Sequence, residues 1–356
     1  MRVAFDAGPL LDPPTGVGRY ARELGEALEL SGTEVARYAV ALGGSAPAGV
    51  ARLRMPARLA RWSWQRYAMP RVEKLTGPVD VVHATNFVLP PTEAPGVVTV
   101  HDLSFFRDDV FPGGERLREL VPWSIGRAAR VLVPTAAVAD ELSQRLRFSR
   151  ERTVVTPEGV APVFFGATPL SDVALAHMGI ARPYAVAVGT IEPRKNLRNL
   201  LRAWSAASSD LEDWTLVLAG PRGWGPDLPP AEGVRPIGWV GDETLPGLLA
   251  GAEFFCYPSL YEGFGLPPLE AMAAGTPALV GRYAAAPEVL GDAALIVDPV
   301  DVDAIARGLV ALATDESLRS GLRVKGRGRA TDYTWTGTAR RTIRGYAEAI
   351  DDGGTT

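Results

Sequence analysis

Two glutamates frame the stretch YEGFGLPPLEAMAAGTP, Tyr261 to Pro277: Glu262 stands ahead of a glycine-phenylalanine-glycine turn and Glu270 eight positions further on. In continuous helix they would lie roughly 12 Å apart at ~1.5 Å per residue, too distant to act as one pair. The spacing predicts instead a helix from Pro267 to Ala274, because proline is tolerated in a first helical turn. The amides of EGFG then point along the helix axis. Gly263 and Gly265 let the backbone approach an anion, and a helix start favours a phosphate there. Glu270, about one turn in, reaches hydroxyls of the nucleoside carrying that phosphate, as an acidic residue does with ribose in dinucleotide folds. Glu262 addresses whatever lies on the far side of the phosphate.

Other residues sit where chemistry is done. Arg194 and Lys195, in EPRKN, follow Gly189 at a strand-to-helix transition. A cation at a helix start opposes the helix dipole unless an anion sits there too. His101 and Asp102 end the strand-like GVVTV, and His83 ends VVHA, the ends at which α/β sheets place functional groups. Gly16 and Gly18, in PTGVGRY, open GVGRYA, which formally fits a dinucleotide-binding fingerprint. It begins about ten residues after the strand RVAF, where that fingerprint should follow at once, so a hydride-transfer enzyme is demoted. Cys256, in the apolar AEFFCYPS, reads as a small buried hydrophobe. With three histidines and no Cys or His pair at ligand spacing, no structural metal is expected.

These groups need elements to hold them. Apolar runs (RVAFDA, VDVVHA, GVVTVHD, RVLVPT, then PYAVAVGT, WTLVLAG, GAEFFCYPS, TPALV, AALIVD) alternate with helix-length amphipathic stretches. Such strands suit parallel sheets covered on both faces by helices. A length of 356 residues points to two domains, each a doubly wound α/β fold. Prolines and glycines cluster at 156–172, between the strand-like RTVV and a strand beginning at Tyr184, which is the predicted boundary. Two such domains facing one another would make a cleft at the carboxyl ends of their strands.

Composition narrows the classes. Hydrophobic residues make up 47% and charged ones 22%, the balance of a globular protein with large cores. No apolar run approaches the ~18 residues that span a bilayer, and Asp6 interrupts what would be the core of a signal peptide. A net charge of −4 argues against nucleic acid as a partner. Residues 1–165 carry 20 basic and 18 acidic side chains against 17 and 23 in the remainder, so the halves face different partners.

EGFGLPPLE, followed by AMAAGTPALV, resembles the Glu-x(7)-Glu signature of retaining glycosyltransferases of family 4, which have the two-domain GT-B fold. The resemblance extends in order through PTGVGRYARELGEAL, VHDLSFF, VGTIEPRKNLRNLLRAW and DYTWTGTARRTIRGYAEAI. It implies an acceptor-binding domain at 1–165, a donor-binding domain at 170–334 and a final helix, 335–350, that packs back on the first. It further implies that Arg194 and Lys195 hold a diphosphate whose charge grows as the glycosidic bond breaks, so that no metal or other cofactor is needed. Gly16, Gly18 and Gly189 would face the donor, together with Glu262, Gly263, Phe264, Gly265, Leu266 and Glu270. His101 would lie beside the transferred sugar, and His83 and Asp102 on the acceptor side. Two departures stand out: Thr190 replaces an arginine common in relatives, and TPEGV stands where an asparagine-glycine pair is usual.

The expected reaction is transfer of a sugar, with retention, from a nucleoside diphosphate sugar to a hydroxyl of a glycan or lipid-linked acceptor in cell-envelope glycan biosynthesis. The blocks look most like bacterial mannosyltransferase-type members, which implies GDP-mannose; UDP and dTDP sugars stay open. An epimerase and a non-catalytic sugar-nucleotide binding protein are the alternatives. A glycosidase would need carboxyls ~5–5.5 or ~6.5–9.5 Å apart and has no use for Arg194 and Lys195. Finally, 52–74 has seven basic residues and one acid, with Arg54, Arg58 and Arg61 beside a stripe of Met55, Leu59 and Trp62. That is the pattern of a helix lying on an anionic membrane or of one packed on its own domain. A cytoplasmic protein is expected, with contact at the inner face of the plasma membrane left open.

Overall fold

Valine-, alanine- and phenylalanine-rich strands bury both faces only if helices cover both. In the computed structural model, which describes residues 1–11, 16–43, 48–107 and 111–353, they do so twice. The chain divides into two compact units, Met1–Gly159 with Thr334–Thr356, and Val160–Tyr333.

The first unit holds seven parallel strands, β1 (Arg2–Asp6), β2 (Glu34–Val40), β3 (Ala51–Leu53), β4 (Val81–Ala84), β5 (Gly96–Thr99), β6 (Arg130–Val133) and β7 (Thr153–Val155). Their order is β3-β2-β1-β4-β5-β6-β7, and β1 pairs with β4 in the register Val3–Val81 and Phe5–His83. Alternation along β1 sorts its side chains. Val3 and Phe5 meet Tyr20, Leu24 and Leu28 of the helix Gly16–Leu30 and Trp335 and Tyr346 of the terminal helix Trp335–Gly353. Ala4 faces the other way, into a core with Phe105, Val121 and Ile125. Each large side chain so buried contributes ~1.5–3 kcal/mol.

The second unit has six strands, β8 (Tyr184–Val188), β9 (Thr215–Ala219), β10 (Val234–Gly238), β11 (Phe254–Tyr257), β12 (Ala278–Gly281) and β13 (Leu295–Val297). They are parallel, in the order β10-β9-β8-β11-β12-β13. Cys256 is fully buried in the core with Leu200, Trp204 and Leu309.

In both sheets the order reverses once, between β1 and β4 and between β8 and β11. At such a switch point neighbouring strands send their following segments to opposite sides, and a crevice opens at their carboxyl ends. Three strands went unrecognised in the sequence. β3 and β10 are sheet edges, β10 carries a proline, and β2 is only half-buried, so none shows a continuous apolar run.

The segment 52–74 corrects its expectation. It is not one helix: residues 51–53 form β3, the helix runs only from Ala57 to Tyr67, and a short second helix spans Glu73–Thr76. Pro56 caps the longer helix and disfavours helical geometry at Met55, so Arg54 and Met55 lie outside it. Leu59, Trp62 and Tyr67 are exposed on it, while Ala60 and Trp64 are buried. The apolar residues of the expected stripe that lie on the helix therefore do not pack on their own unit.

Candidate active site

At the switch point of the second unit, β8 leads into Gly189, whose φ of +144° suits glycine. The chain then makes a short turn, Pro193–Lys195, and enters the helix Leu197–Ala206 through Asn196, in the left-handed region at φ 58°. Asn196 holds this turn against the exits of β11 and β13, its amide donating to the carbonyls of Pro258 (3.1 Å) and Pro299 (2.6 Å). Leu260 adds a backbone bond to the Arg194 carbonyl, 2.9 Å. The cations thus ride on a loop fixed by the exits of two other strands of the sheet.

Those cations meet Glu262, which is 7% exposed. Arg194 Nη1 donates to Glu262 Oε2 at 2.5 Å and Lys195 Nζ to Oε1 at 2.8 Å. Arg194 also bonds Glu192, 2.7 Å, and Lys195 donates to the Tyr257 hydroxyl, 2.7 Å, lying 4.7 Å from that ring's centre. Burial alone would raise the Glu262 carboxyl, but Arg194 and Lys195 outweigh it and hold it at about 2. Burial lowers the Lys195 ammonium, with Glu262 pulling the other way. The sequence reading put Glu262 on the side of the phosphate away from the nucleoside and did not pair it with the cations, whose direct partner it is.

After Glu262 the chain turns into the helix Leu266–Ala273, one residue earlier than expected, capped by Gly265 at φ 95°. A side chain at Gly265 would come within 2.2 Å of the Tyr283 hydroxyl, so close approach as well as backbone angle demands glycine. Phe264 packs edge-on to Tyr333, ring centres 5.5 Å apart, and Gly263 and Leu266 are buried beside it. Glu270 lies inside the helix, 2% exposed.

The first unit distributes its candidates unevenly. His101 is 9% exposed, its Nε2 donating to the Thr85 carbonyl at 2.8 Å, its Nδ1 3.7 Å from Glu158, and its ring held edge-on by Tyr20 and Phe87. Asp102 spends one carboxylate oxygen on the amide and hydroxyl of Ser104, closing a turn. His83 corrects its expectation. It is fully buried, with Nδ1 2.6 Å from the Tyr346 hydroxyl and Nε2 2.8 Å from Thr99, so it ties β4 to the terminal helix and β5 and both its ring nitrogens are taken within the unit. Burial, with His101 adding, holds its conjugate acid down to about 3. Gly16 and Gly18 lie in the first turn of Gly16–Leu30; Pro14 and Thr15 of that loop fall outside the described residues. Glu192, Asn196 and Tyr257 were missed, although Glu192 adjoins the cations and Tyr257 ends a strand.

Residues 182–315 match the family described as glycosyl transferases group 1, and residues 14–163 the one described as glycosyltransferase family 4. O-antigen chain mannosyltransferase B of Escherichia coli is 30% identical, over 97% of this chain and 99% of its own. Among solved structures, sucrose-phosphate synthase from Thermosynechococcus elongatus aligns with a TM-score of 0.75 at 20% identity, covering 99% of each chain. Anabaena HepE, in complex with UDP and glucose, aligns with a TM-score of 0.74 at 15% identity, covering 97% of this chain and 98% of its own. These structural likenesses show the fold, GT-B.

Proposed function

Because this chain belongs to the group 1, family 4 glycosyltransferases, retaining hexosyltransferases of the GT-B fold, we propose that it moves mannose from GDP-mannose to a hydroxyl of a cell-envelope glycan, free or lipid-linked. The mannose and the glycan follow the name of the Escherichia coli relative. The observation that carries the donor reading is the cluster of Arg194, Lys195 and Glu262 at the β8/β11 switch point.

Arg194 and Lys195 take the diphosphate and stabilise the charge it gains as the glycosidic bond breaks, so the reading calls for no metal. Gly189 and Gly265 keep side chains away from the approach, and the amides of Gly263 to Leu266 meet the phosphates at the helix start. Glu262, displaced from the cations, orients sugar hydroxyls; Glu270 holds the ribose. No side chain reads as a covalent nucleophile. The departing phosphate oxygen therefore takes the acceptor proton on the same face of the sugar.

Thermal shift against GDP, UDP and dTDP tests the donor. Ligand at 100 times its dissociation constant stabilises by ~2.7 kcal/mol. GDP should give the largest shift, and Lys195→Met should abolish it and slow transfer about 100- to 1000-fold. A larger shift with UDP or dTDP would replace the base; none with any of the three would overturn the reading.

A membrane contact through the helix Ala57–Tyr67 belongs to the same proposal. Arg58, Arg66 and the flanking Arg54 and Arg71 are exposed around Leu59, Trp62, Tyr67 and Met69. That mixture suits the surface of anionic lipid. Among the described residues no helix is long and apolar enough to cross a membrane.

A further inference from the structure

The first unit has a switch point of its own, between β1 and β4, and a cavity of about 400 Å³ opens beside it. Its walls come from the end of β1 (Asp6), the end of β2 (Tyr38), the loop after β4 (Asn86) and the helix Ala57–Tyr67 (Arg61, Trp64). The volume lies in the range of small-molecule sites, ~300–1,000 Å³.

Its polar lining is the second observation. Tyr38 Oη, Trp64 Nε1 and Asn86 Oδ1 are all buried and have no hydrogen-bond partner among the described residues, and all three residues line this one cavity. Tyr38 is 1% exposed and Trp64 7%. Such atoms are costly to leave unpaired away from water, so the site is built for polar contents. Asp6 adds a carboxylate: one oxygen accepts from the Gly8 amide at 2.8 Å, and the other has no partner among the described residues. Burial pushes that carboxyl up to about 6, the Gly8 amide partly offsetting it.

Arg61 supplies charge. The sequence pattern set it in a basic row with Arg54 and Arg58 beside the apolar stripe, but it is half-buried and lines the cavity, with no carboxylate partner among the described residues. Burial and the nearby Arg116 both depress it, so an anion placed there relieves both. A donor-only indole, an acceptor amide oxygen, a hydroxyl and a carboxylate, spaced by Pro9, Val40 and Val88, match the hydroxyl edges and C–H face of a pyranose.

We propose that this cavity holds the acceptor and that the acceptor is a hexose carrying a negatively charged substituent, its hydroxyls meeting Trp64, Tyr38, Asn86 and Asp6 and its charge meeting Arg61. The assignment to the acceptor rests on the glycosyl-transfer reading above. The charged group is a phosphate or a carboxylate, either of which fits a guanidinium fork.

The test is fluorine NMR on the full chain labelled with 5-fluorotryptophan, in which the Trp64 signal is the one lost in Trp64→Phe. Probes are mannose 6-phosphate, glucuronate, methyl α-mannoside and inorganic phosphate. One of the two charged sugars should move the Trp64 signal at about tenfold lower concentration than methyl α-mannoside. Whichever does so identifies the charged group. Arg61→Gln should erase that advantage and Arg61→Lys restore part of it. A Trp64 signal unmoved by every sugar, inorganic phosphate matching mannose 6-phosphate, or an advantage surviving Arg61→Gln would each overturn the proposal. Thermal shift with GDP on the same sample keeps the two readings apart: a GDP shift beside a silent Trp64 signal sinks the acceptor cavity and leaves the donor reading standing.

Discussion

Two buried ionisable groups give opposite lessons about position. Glu262 was legible because its neighbours in sequence, the GFG turn and the prolines, announce a helix start. His83 misled, because a strand end in sequence says nothing about which face the side chain takes or what covers it. The partner that decides its environment, Tyr346, comes from the far end of the chain. Folding pulls the His83 pKa from 6.5 to about 3, so below pH 6.5 the unfolded state takes up a proton the folded state refuses. The stability this provides is complete above pH 6.5 and lost as pH falls towards 3, at about 1.4 kcal/mol per pH unit. Asp6 works the other way: its folded pKa is raised from 3.8 to about 6, so its contribution is present below 3.8 and lost as pH rises through 6. Comparing variants separates the two. Between pH 6 and 4.5 the two slopes oppose one another, so His83→Gln should make the urea-unfolding free energy rise as pH falls, where the wild type stays nearly level; parallel wild-type and variant curves would show that His83 is not the source.

Prolines decided the element that the hydrophobic pattern misjudged. Counting charges over 52–74 joins residues that Pro56 and Pro70 keep out of one helix, since each disfavours helical geometry in the residue before it. Only residues 57–67 share helical periodicity, and within them the turn sends Arg61 and Trp64 to the cavity and Leu59 and Trp62 outward. The exposed side predicts a membrane-directed effect without a folding effect. Leu59→Ser combined with Trp62→Ser should lower recovery on floating anionic liposomes several-fold and leave the thermal midpoint nearly unchanged, as surface substitutions do. Equal recovery of variant and wild type, or of either on neutral and anionic lipid, would remove the membrane role.

The chain passes between its two units at Gly159–Val160 and returns at Tyr333–Thr334. The terminal helix therefore completes the first unit, covering Val3, Phe5, Leu132 and Val154. Its side chains lock there through the Tyr346 bond to His83, the Thr338 hydroxyl on the Pro157 carbonyl (2.7 Å) and ion pairs from Arg130 to Glu348 and Asp352. A chain ending at Tyr333 would expose that apolar face. It should lose the cooperative unfolding of the first unit and aggregate, while hydrogen exchange in β8 to β12 stays protected; a truncated chain with the first unit still protected would show the helix to be dispensable.

Local chemistry carried much of the outcome. Apolar runs bounded by turn residues marked ten of the strands, because burial on both faces demands such runs. Glycines and prolines marked the turn before Leu266–Ala273, and EPRKN marked the cations. None of that could reveal that Glu262 grips both cations, that His83 is sealed by Tyr346, or that Tyr38, Arg61, Trp64 and Asn86 share one cavity. Those facts depend on which strands neighbour one another, and strand order arises from the packing of whole layers, in which residues distant along the chain are brought within hydrogen-bond reach.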